Sequence, residues 1–332
     1  MLSKHILIVG SGSAGKRHAR NLSSLGCRIS SFDPRADHLE DLARETDVVR
    51  ASADLNKALD HDDLDGVVIA SPTAYHCDTA TKTLKRGLPL LLEKPVAKTL
   101  SECKEILELQ MHTRVEVLLG YTWRWWPPLR RVKEVLNSRR IGRVLFAQFH
   151  MSAHLADWHP WERYQDFFMS SAAQGGGALL DESHWIDLAL WLFGKPARVY
   201  GQVEKNSSLE IDSDDNVDAL INYDDGKRIS MHLDLYGRPH EKFIRFVGER
   251  GTLIWTVDPN RISVGEKAEQ TWKHEDFSCD RNDMFMAVAR EYLSVLQGQR
   301  PETCRLQDGL LVMEIVEAIR QSHAEGRTIY LE

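Results

Sequence analysis

The sequence predicts an α/β protein in two parts, a doubly wound parallel sheet followed by an α+β domain with a largely antiparallel open sheet. The chain has 332 residues, more than one hydrophobic core usually serves. Up to about residue 120, short apolar runs alternate with helical periods, which is typical of parallel strands covered on both faces. Beyond that point, long runs alternate polar and apolar residues, as antiparallel strands do. We therefore expect domains over residues 1–121 and 122–332.

The first domain is predicted to contain five near-continuous apolar strands, at 5–10, 28–32, 66–71, 88–93 and 115–120. Helical apolar periods predict helices at 14–25, 76–86 and 99–111. Ligands of such sheets bind outside the carboxyl ends of the strands. Four residues fall at that edge: Gly10, Asp33, Ser71 and Glu93.

In the second domain, a helix is predicted at 128–138 and antiparallel strands at 217–222, 228–235, 242–247 and 251–257. Turns are expected at 224–226 and 249–251, where acidic residues or arginine precede glycine. Two closing helices, at 282–296 and 306–324, are followed by the helix-stop glycines Gly298 and Gly326.

A glycine-rich turn follows the first strand, with the sequence Gly-Ser-Gly-Ser-Ala-Gly from Gly10 to Gly15. Gly10 permits a tight turn, Gly12 allows a pyrophosphate to approach the backbone, and Gly15 allows the helix to pack on the strand. Asp33 lies 23 residues beyond Gly10, at the end of the second strand. Together these features predict a Rossmann dinucleotide site, and the alternative is a glycine-rich turn in another α/β fold.

The choice of cofactor depends on Asp33. A carboxylate at this position accepts hydrogen bonds from ribose hydroxyls and repels a 2′-phosphate, which favours NAD. Arg35 could pair with that phosphate, so NADP stays possible at this point.

The tripeptide Glu93-Lys94-Pro95 ends the fifth predicted strand, at the ligand edge of the sheet. The ammonium of Lys94 could stabilise negative charge developing on a substrate oxygen, and Pro95 restrains Lys94 to extended geometry and admits a cis bond. The alternative is a solvated lysine followed by a turn-forming proline.

Three glycines at 175–177 precede an apolar helical period that continues to residue 193. On one helix, His184 would share a face with Asp181 and with Asp187, three residues away on either side. An imidazole between carboxylates is suited to proton transfer with an alcohol oxygen. The alternative is that Asp181 is an N-cap and His184 a histidine satisfied in the core.

Several motifs in register resemble the Gfo/Idh/MocA oxidoreductases across essentially the whole chain. They are the segments 10–18, 71–76, 93–95, 120–125 and 141–144 and the glycine-rich segment 175–187. The resemblance implies an NAD(P)-dependent dehydrogenase or reductase acting on a sugar, a cyclitol or a nucleotide-linked sugar. It further implies that Lys94 and His184 are the catalytic pair, with Asp181 assisting.

The resemblance and the glycine turn together predict the residues that contact the cofactor. They are Gly10, Ser11, Gly12, Ser13, Ala14, Gly15, Asp33, Arg35, Ser71, Pro72, Thr73, His76, Glu93 and Lys94. The spacing of one motif departs from the family. Many members place the histidine four residues after the aspartate, whereas His184 lies three residues after Asp181. The step from His184 to Asp187 keeps the family pattern, so the departure bears on the role of Asp181.

Seven of the nine tryptophans lie between Trp123 and Trp191. Flat aromatic faces pack against the C–H faces of sugar rings, although core packing explains some of these residues. The segment 154–164 also holds many polar groups, so it resembles a substrate loop. The predicted substrate-binding residues are Arg124, Trp125, Trp158, His159, Trp161 and Tyr164.

Composition excludes several classes of partner. The formal net charge is −7 without a basic block, which argues against nucleic acid. The 14 histidines form no H-E-x-x-H pair and the 5 cysteines form no C-x-x-C pair, so neither a metal nor a disulfide framework is expected. No apolar run reaches the roughly 18 residues of a membrane span. We expect a cytoplasmic protein that forms a homodimer or homotetramer through the C-terminal sheet.

Two other functions stay open from the sequence. One is a sugar or dinucleotide sensor without catalysis, for which loss of the lysine or histidine would be expected. The other is a glycoside-cleaving enzyme that uses NAD transiently and releases no net NADH.

Overall fold

The computed structural model describes residues 3–158, 162–266 and 271–331 and confirms the predicted α/β class. The chain divides into two compact units. The first runs up to Trp125 and includes Arg281–Leu310, and the second consists of Trp126–Asp280 and the chain from Leu311 onward. The sequence alone placed everything after residue 121 in the second domain, so the assignment of Arg281–Leu310 differs.

Strands and helices alternate from the first strand to the sixth, and strands predominate after that. The strands are β1 His5–Val9, β2 Arg28–Phe32, β3 Val48–Ser52, β4 Gly66–Ile69, β5 Leu90–Glu93, β6 Val117–Gly120, β7 Val144–Ser152, β8 Arg198–Glu204, β9 Asn216–Asn222, β10 Arg228–Asp234, β11 Glu241–Gly248, β12 Thr252–Thr256, β13 Arg261–Gly265, β14 Trp272–Asp276 and β15 Ile329–Tyr330. The α-helices are α1 Ser13–Ser24, α2 Ala36–Glu45, α3 Leu55–Leu59, α4 His76–Lys85, α5 Leu100–Thr113, α6 Pro127–Asn137, α7 Ala178–Asp181, α8 His184–Phe193, α9 Arg281–Val295 and α10 Leu306–Glu325.

The first unit is built on a six-stranded sheet in the order β3-β2-β1-β4-β5-β6, with every strand pair parallel. Strands β1, β4, β5 and β6 are buried along their whole length, as their continuous apolar sequences require. Strand β3 was not predicted. It lies at the edge of the sheet, where half-covered residues need no continuous apolar run.

Helix α9 belongs to the first unit because it packs on the Rossmann elements. The buried hydroxyl of Tyr292 lies 2.8 Å from the carbonyl oxygen of Val67 and 2.9 Å from that of Pro89. The side-chain amides of Asn282 and Asn21 bond to each other. These contacts between distant segments explain why a helix from the C-terminal part of the chain joins the nucleotide-binding fold.

The second unit is built on a nine-stranded sheet in the order β14-β13-β12-β11-β7-β10-β9-β8-β15. All neighbouring pairs are antiparallel except β7 with β10, so the sheet is mixed and mostly antiparallel, as predicted. Its apolar face carries the core of this unit, where Trp185 of α8 packs against Phe149 and Trp255.

Within the described ranges, no helix is long and apolar enough to cross a membrane. Over the same residues, no group of three or more histidine, cysteine, aspartate and glutamate side chains could hold a metal ion.

Candidate active site

The glycine turn at the end of β1 has the geometry of a phosphate-binding turn. Gly10 has a φ of 91°, a conformation that L-residues with a side chain rarely adopt. A Cβ on Gly15 would collide with the carbonyl oxygen of Gly10, so helix α1 can approach the turn only with glycine there. A Cβ on Gly12 would meet nothing within 4 Å, which leaves open space beside the backbone at the start of α1. That space, at a helix N-terminus, suits a diphosphate.

Asp33 lies buried at the carboxyl end of β2 and faces the glycine turn. Its Oδ2 accepts a hydrogen bond from the backbone N–H of Ser11 at 2.7 Å, and its Oδ1 accepts one from that of Arg35 at 2.9 Å. The Nδ1 of His38, a residue that sequence reasoning missed, lies 3.2 Å from Oδ2. The carboxylate is therefore oriented before any ligand binds, by backbone groups that cannot easily move.

The side chain of Arg35 pairs with a neighbouring carboxylate on the same segment. Its guanidinium is exposed and pairs with Asp37, with Nε at 3.2 Å from Oδ1 and Nη2 at 2.5 Å from Oδ2. A 2′-phosphate would have to compete with Asp37 for this arginine. The local charge therefore favours a cofactor without that phosphate.

Two buried hydroxyls line the same edge of the sheet without a hydrogen-bond partner in the described structure. They are the Oγ of Ser11, after β1, and the Oγ of Ser71, after β4. Buried polar atoms are normally paired. Together with the open space beside Gly12 and the oriented Asp33, these atoms show that the residues present fit a dinucleotide.

Glu93 and Lys94 lie at the carboxyl end of β5, the strand that follows β4 in the sheet. Lys94 is half-buried, and the peptide bond between Lys94 and Pro95 is cis. Glu93 is 9% exposed, and its Oε1 lies 2.6 Å from the Nε2 of the fully buried His18. The backbone N–H of Lys94 donates to Oε2 of Glu93 at 3.3 Å. Burial acts to raise the pKa of Glu93, but His18 and Lys94 outweigh it, so that this pKa lies below its usual value.

His76 links two of the turns that flank the sheet edge. Its Nδ1 lies 2.8 Å from the carbonyl oxygen of Pro95, and its Nε2 lies 2.9 Å from that of Ser71. Both ring nitrogens face backbone, so the imidazole holds the turns together. The cofactor contact that the sequence predicted for His76 stays a prediction.

Arg124 and Trp125, which were predicted to bind substrate, are buried and hydrogen-bonded within the first unit. Each is 4% exposed. The Nη1 of Arg124 donates to the carbonyl oxygen of Thr303 at 2.9 Å, and the indole N–H of Trp125 donates to Glu291 at 2.9 Å. These bonds hold both side chains inside the first unit, and their contact with substrate stays a prediction.

In the second unit, the predicted single helix after the glycines is broken. Helix α7 ends at Asp181, and α8 begins at His184 with Ser183 as its N-cap. Asp181 is therefore not an N-cap: it closes a four-residue helix, and its backbone N–H donates to the carbonyl oxygen of Gly177 at 2.9 Å. The alternative in which Asp181 caps the helix is wrong, because the cap of α7 is Gly177.

His184 is the first residue of α8 and is half-buried, whereas its neighbours Ser183 and Trp185 are buried. The indole N–H of Trp185 donates to Glu182 at 3.0 Å, which fixes the break between the helices. Asp187, one turn after His184, is 0% exposed. The imidazole thus stands at the start of a helix whose remaining first turn is locked into the core.

The predicted substrate loop is anchored to the β10–β11 connection. The guanidinium of Arg238 pairs with Asp157 at 2.7 and 2.8 Å, and its Nη2 lies 3.2 Å from the Nδ1 of His154. Trp158 is half-buried, with the ammonium of Lys242 at 6.0 Å from its ring centre. His159 and Trp161 lie outside the described residues.

The remaining predicted substrate residue, Tyr164, lies in a short 3-10 turn, Tyr164–Asp166. Its hydroxyl accepts a hydrogen bond from the backbone N–H of Glu210 at 3.3 Å. This bond ties the end of the loop to the segment before β9.

Comparison with known proteins agrees with this geometry. Residues 4–121 match the family model of the oxidoreductases with an NAD-binding Rossmann fold, and residues 129–254 match that of the GFO/IDH/MocA C-terminal domain. The chain belongs to the Gfo/Idh/MocA oxidoreductase family. The predicted resemblance is confirmed, and the dinucleotide that this family's Rossmann fold binds is NAD.

Two characterised relatives of this Gfo/Idh/MocA protein match over almost their whole length. Inositol 2-dehydrogenase 2 of Saccharopolyspora erythraea is 30% identical, over 100% of this chain and 96% of that protein. The scyllo-inositol 2-dehydrogenase (NAD(+)) of Bacillus subtilis is 26% identical, over 98% of this chain and 95% of that protein. A solved levoglucosan dehydrogenase, in complex with NADH and levoglucosan, shares the fold with a TM-score of 0.88 at 18% identity, covering 99% of both chains.

Proposed function

We propose that this oxidoreductase is an NAD-dependent dehydrogenase that oxidises a ring hydroxyl of a cyclitol or sugar. The observation that carries the proposal is the end-to-end match to inositol 2-dehydrogenase 2. It is supported by the presence of Lys94 and His184, the two residues that the family resemblance implies as the catalytic pair. A sensor without catalysis would not need both residues.

The chain's own residues account for binding of the dinucleotide. The turn from Gly10 to Gly15 offers backbone N–H groups to the diphosphate, and Asp33 accepts hydrogen bonds from the ribose hydroxyls. NAD, when bound, supplies the ring carbon that takes up a hydride. The pairing of Arg35 with Asp37 favours NAD over NADP.

In the proposed reaction, the protein's own residues accept one proton and stabilise the charge on one oxygen. The imidazole of His184 accepts the proton of the substrate hydroxyl as the C–H bond gives up its hydride. The ammonium of Lys94 donates a hydrogen bond to the same oxygen and stabilises the negative charge that develops on it. Asp181 assists by its charge near the imidazole, and its reduced spacing to His184 makes this contribution the smaller one.

The proposed substrate is a small polyol because the relatives named above act on inositols. Trp158 offers an aromatic face suited to the C–H face of a ring. His159, Trp161 and Tyr164 are also proposed to contact substrate.

We also propose that two copies pair through the solvent-facing side of the second sheet. Strand register places Tyr200 directly opposite Leu220, and Phe146 lies on the same face. These side chains are 37%, 40% and 37% exposed, which is unusual for large apolar groups clustered on one sheet. Light scattering with Leu220→Glu tests this: the variant should be monomeric where the wild type is dimeric or tetrameric.

A panel of myo-inositol, scyllo-inositol, levoglucosan and UDP-linked sugars, scored at 340 nm for NADH formation, tests the function. Net NADH from at least one polyol is expected. Release of a cleaved glycoside without net NADH would favour the NAD-cycling glycosidase. Absence of turnover with intact NADH binding would favour the sensor.

A further inference from the structure

Helix α7, which ends at Asp181, is stabilised by hydrogen bonds to a distant segment of the chain. Helix α7 has four residues, too few to be stable by itself. Its first two N–H groups donate to a single residue of the segment before β9. The N–H of Leu179 donates to Oδ2 of Asp214 at 2.8 Å, and the N–H of Ala178 donates to the backbone oxygen of Asp214 at 2.9 Å. Asp214 thus does the work of an N-cap from 35 residues away.

The glycine run is shaped to admit this carboxylate. Gly177 has a φ of 109°, and a Cβ at this position would collide with the side chain of Asp214. The neighbouring residues hold the other side of the turn. Oδ1 of Asp212 accepts the N–H of Ala172 at 2.7 Å, and the hydroxyl of Ser213 donates to the carbonyl oxygen of Met169 at 2.7 Å. The segment 212–214 therefore clamps the chain before and after the glycines.

We propose that Asp214 is a positioning residue for the dehydrogenase reaction: it fixes α7 and, through the short break that follows, the imidazole of His184. The proposal rests on the proposed function, in which His184 accepts the proton. Helix α7 is joined to α8 by only Glu182 and Ser183, so a displacement of α7 is transmitted to the first residue of α8. Misplacement of a reacting group by about 1 Å can cost on the order of 100-fold in rate.

The test compares Asp214→Ala with Asp214→Asn. The alanine variant loses the side-chain acceptor for Leu179. The asparagine variant keeps an acceptor oxygen of the same reach, and burial, which raises the pKa of Asp214, already disfavours the charged form of this carboxyl. With myo-inositol, or the fastest polyol of the panel, kcat should fall at least about 10-fold in Asp214→Ala and recover to within about 3-fold in Asp214→Asn. The Kd for NADH, measured by fluorescence, should be unchanged in both.

A second readout does not depend on activity. Amide hydrogen exchange over 178–184 should accelerate in Asp214→Ala and stay slow in Asp214→Asn, since only the latter retains the bond to Leu179. Should Asp214→Ala be recovered unfolded, Asp214→Ser takes its place, because its shorter hydroxyl cannot span to Leu179 while the site stays polar.

Asp54→Ala is the matched control. Asp54 caps the five-residue helix α3 in the first unit through the N–H groups of Asn56 and Lys57. The Asp54→Ala variant should have a lower melting temperature and an unchanged kcat. Equal loss of kcat in the two alanine variants, or an Asp214→Asn variant as slow as Asp214→Ala, would overturn the positioning role. If His184→Asn is fully active, the proposed function fails instead, whatever Asp214 does.

Discussion

The Nε2 of His18 lies 2.6 Å from Oε1 of Glu93, and this pair stands directly behind the backbone of Lys94. His18 is 0% exposed, so the bond is shielded from water. Because Glu93 also accepts the N–H of Lys94, the pair sets the direction in which β5 ends. A residue of the first helix thereby helps to orient the proposed catalytic lysine.

Replacing His18 by Ala should leave the Glu93 carboxylate buried without its strongest donor. We expect a loss of about 1–3 kcal/mol in the free energy of unfolding, as for a buried group left unsatisfied. The wild type should also lose stability in acid, because folding lowers the pKa of Glu93. The stability that Glu93 contributes is fully present above the pKa it has in the unfolded chain. This contribution disappears as the pH falls through the lower pKa that it has in the folded protein. Urea titrations at pH 7 and pH 4 measure both effects. A variant as stable as wild type at pH 7 would contradict the prediction.

Asp33→Ala should narrow the preference for NADH over NADPH. The substitution removes an acceptor for the ribose hydroxyls and a negative charge that repels a 2′-phosphate. Isothermal titration calorimetry with both cofactors measures the change, with Asp41→Ala on helix α2 as the control. Asp41 pairs with Lys16 and should leave the preference unaltered. A wild type that prefers NADPH would refute the assignment of Asp33.

Lys94→Ala should lower kcat by about 100-fold or more while the fold is retained, because the ammonium stabilises charge that develops only during the reaction. The far-UV spectrum and melting temperature report on the fold. Lys82→Ala is the control, since Lys82 is a partly exposed lysine that pairs with Asp78 on α4. Turnover of Lys94→Ala within a few-fold of wild type would return Lys94 to the solvated-lysine alternative.

His184→Asn should lower kcat by about 100-fold and remove the limb of the pH–rate profile that its titration produces. Binding of NADH should be nearly unchanged, because His184 is proposed to act on the substrate hydroxyl. Asp181→Asn, assayed in parallel, should have a smaller effect on kcat. Since Asp181 is not an N-cap, a change of kcat in this variant would not result from lost helix capping. An active His184→Asn enzyme with an unaltered profile would require another base.

We expect the protein to lose stability in alkali because of a histidine in the second sheet. His232 lies between Asp234 at 3.0 Å and Asp218 at 2.7 Å, and stacks on His150 at 5.4 Å. Hydrogen bonds to the two carboxylates outweigh burial and raise the pKa of His232 to about 9. A raised pKa stabilises the fold below the unfolded value of roughly 6.5, and this contribution is lost as pH rises through about 9.

Urea denaturation at pH 6, 7.5 and 9.5 checks this prediction at constant protein concentration. The free energy of unfolding of wild type should decline over that range. His232→Gln should be less stable at pH 6 and show a shallower decline. Identical slopes in the two proteins would show that His232 does not titrate with folding.

Much of the nucleotide-binding part could be predicted from the sequence because its determinants are local. The continuous apolar runs of β1, β4, β5 and β6 correspond to strands in which every residue is buried. Gly10 has the positive φ that its place in the turn requires. In these elements each residue's neighbours along the chain are enough to decide its conformation. Edge strand β3 escaped prediction because half-covered residues carry no such pattern.

Only the tertiary structure decided the contacts that span long separations. The apolar period through 179–193 shows no sign of the break after Asp181, which the bond from Trp185 to Glu182 stabilises. The indole N–H of Trp125 donates to Glu291, a residue 166 positions away along the chain. The sequence by itself determined the class of fold, the cofactor turn and the candidate catalytic residues. Partners distant in the sequence decide which polar groups are hydrogen-bonded and which residues hold the candidate catalytic residues in place. No local sequence pattern identifies these partners.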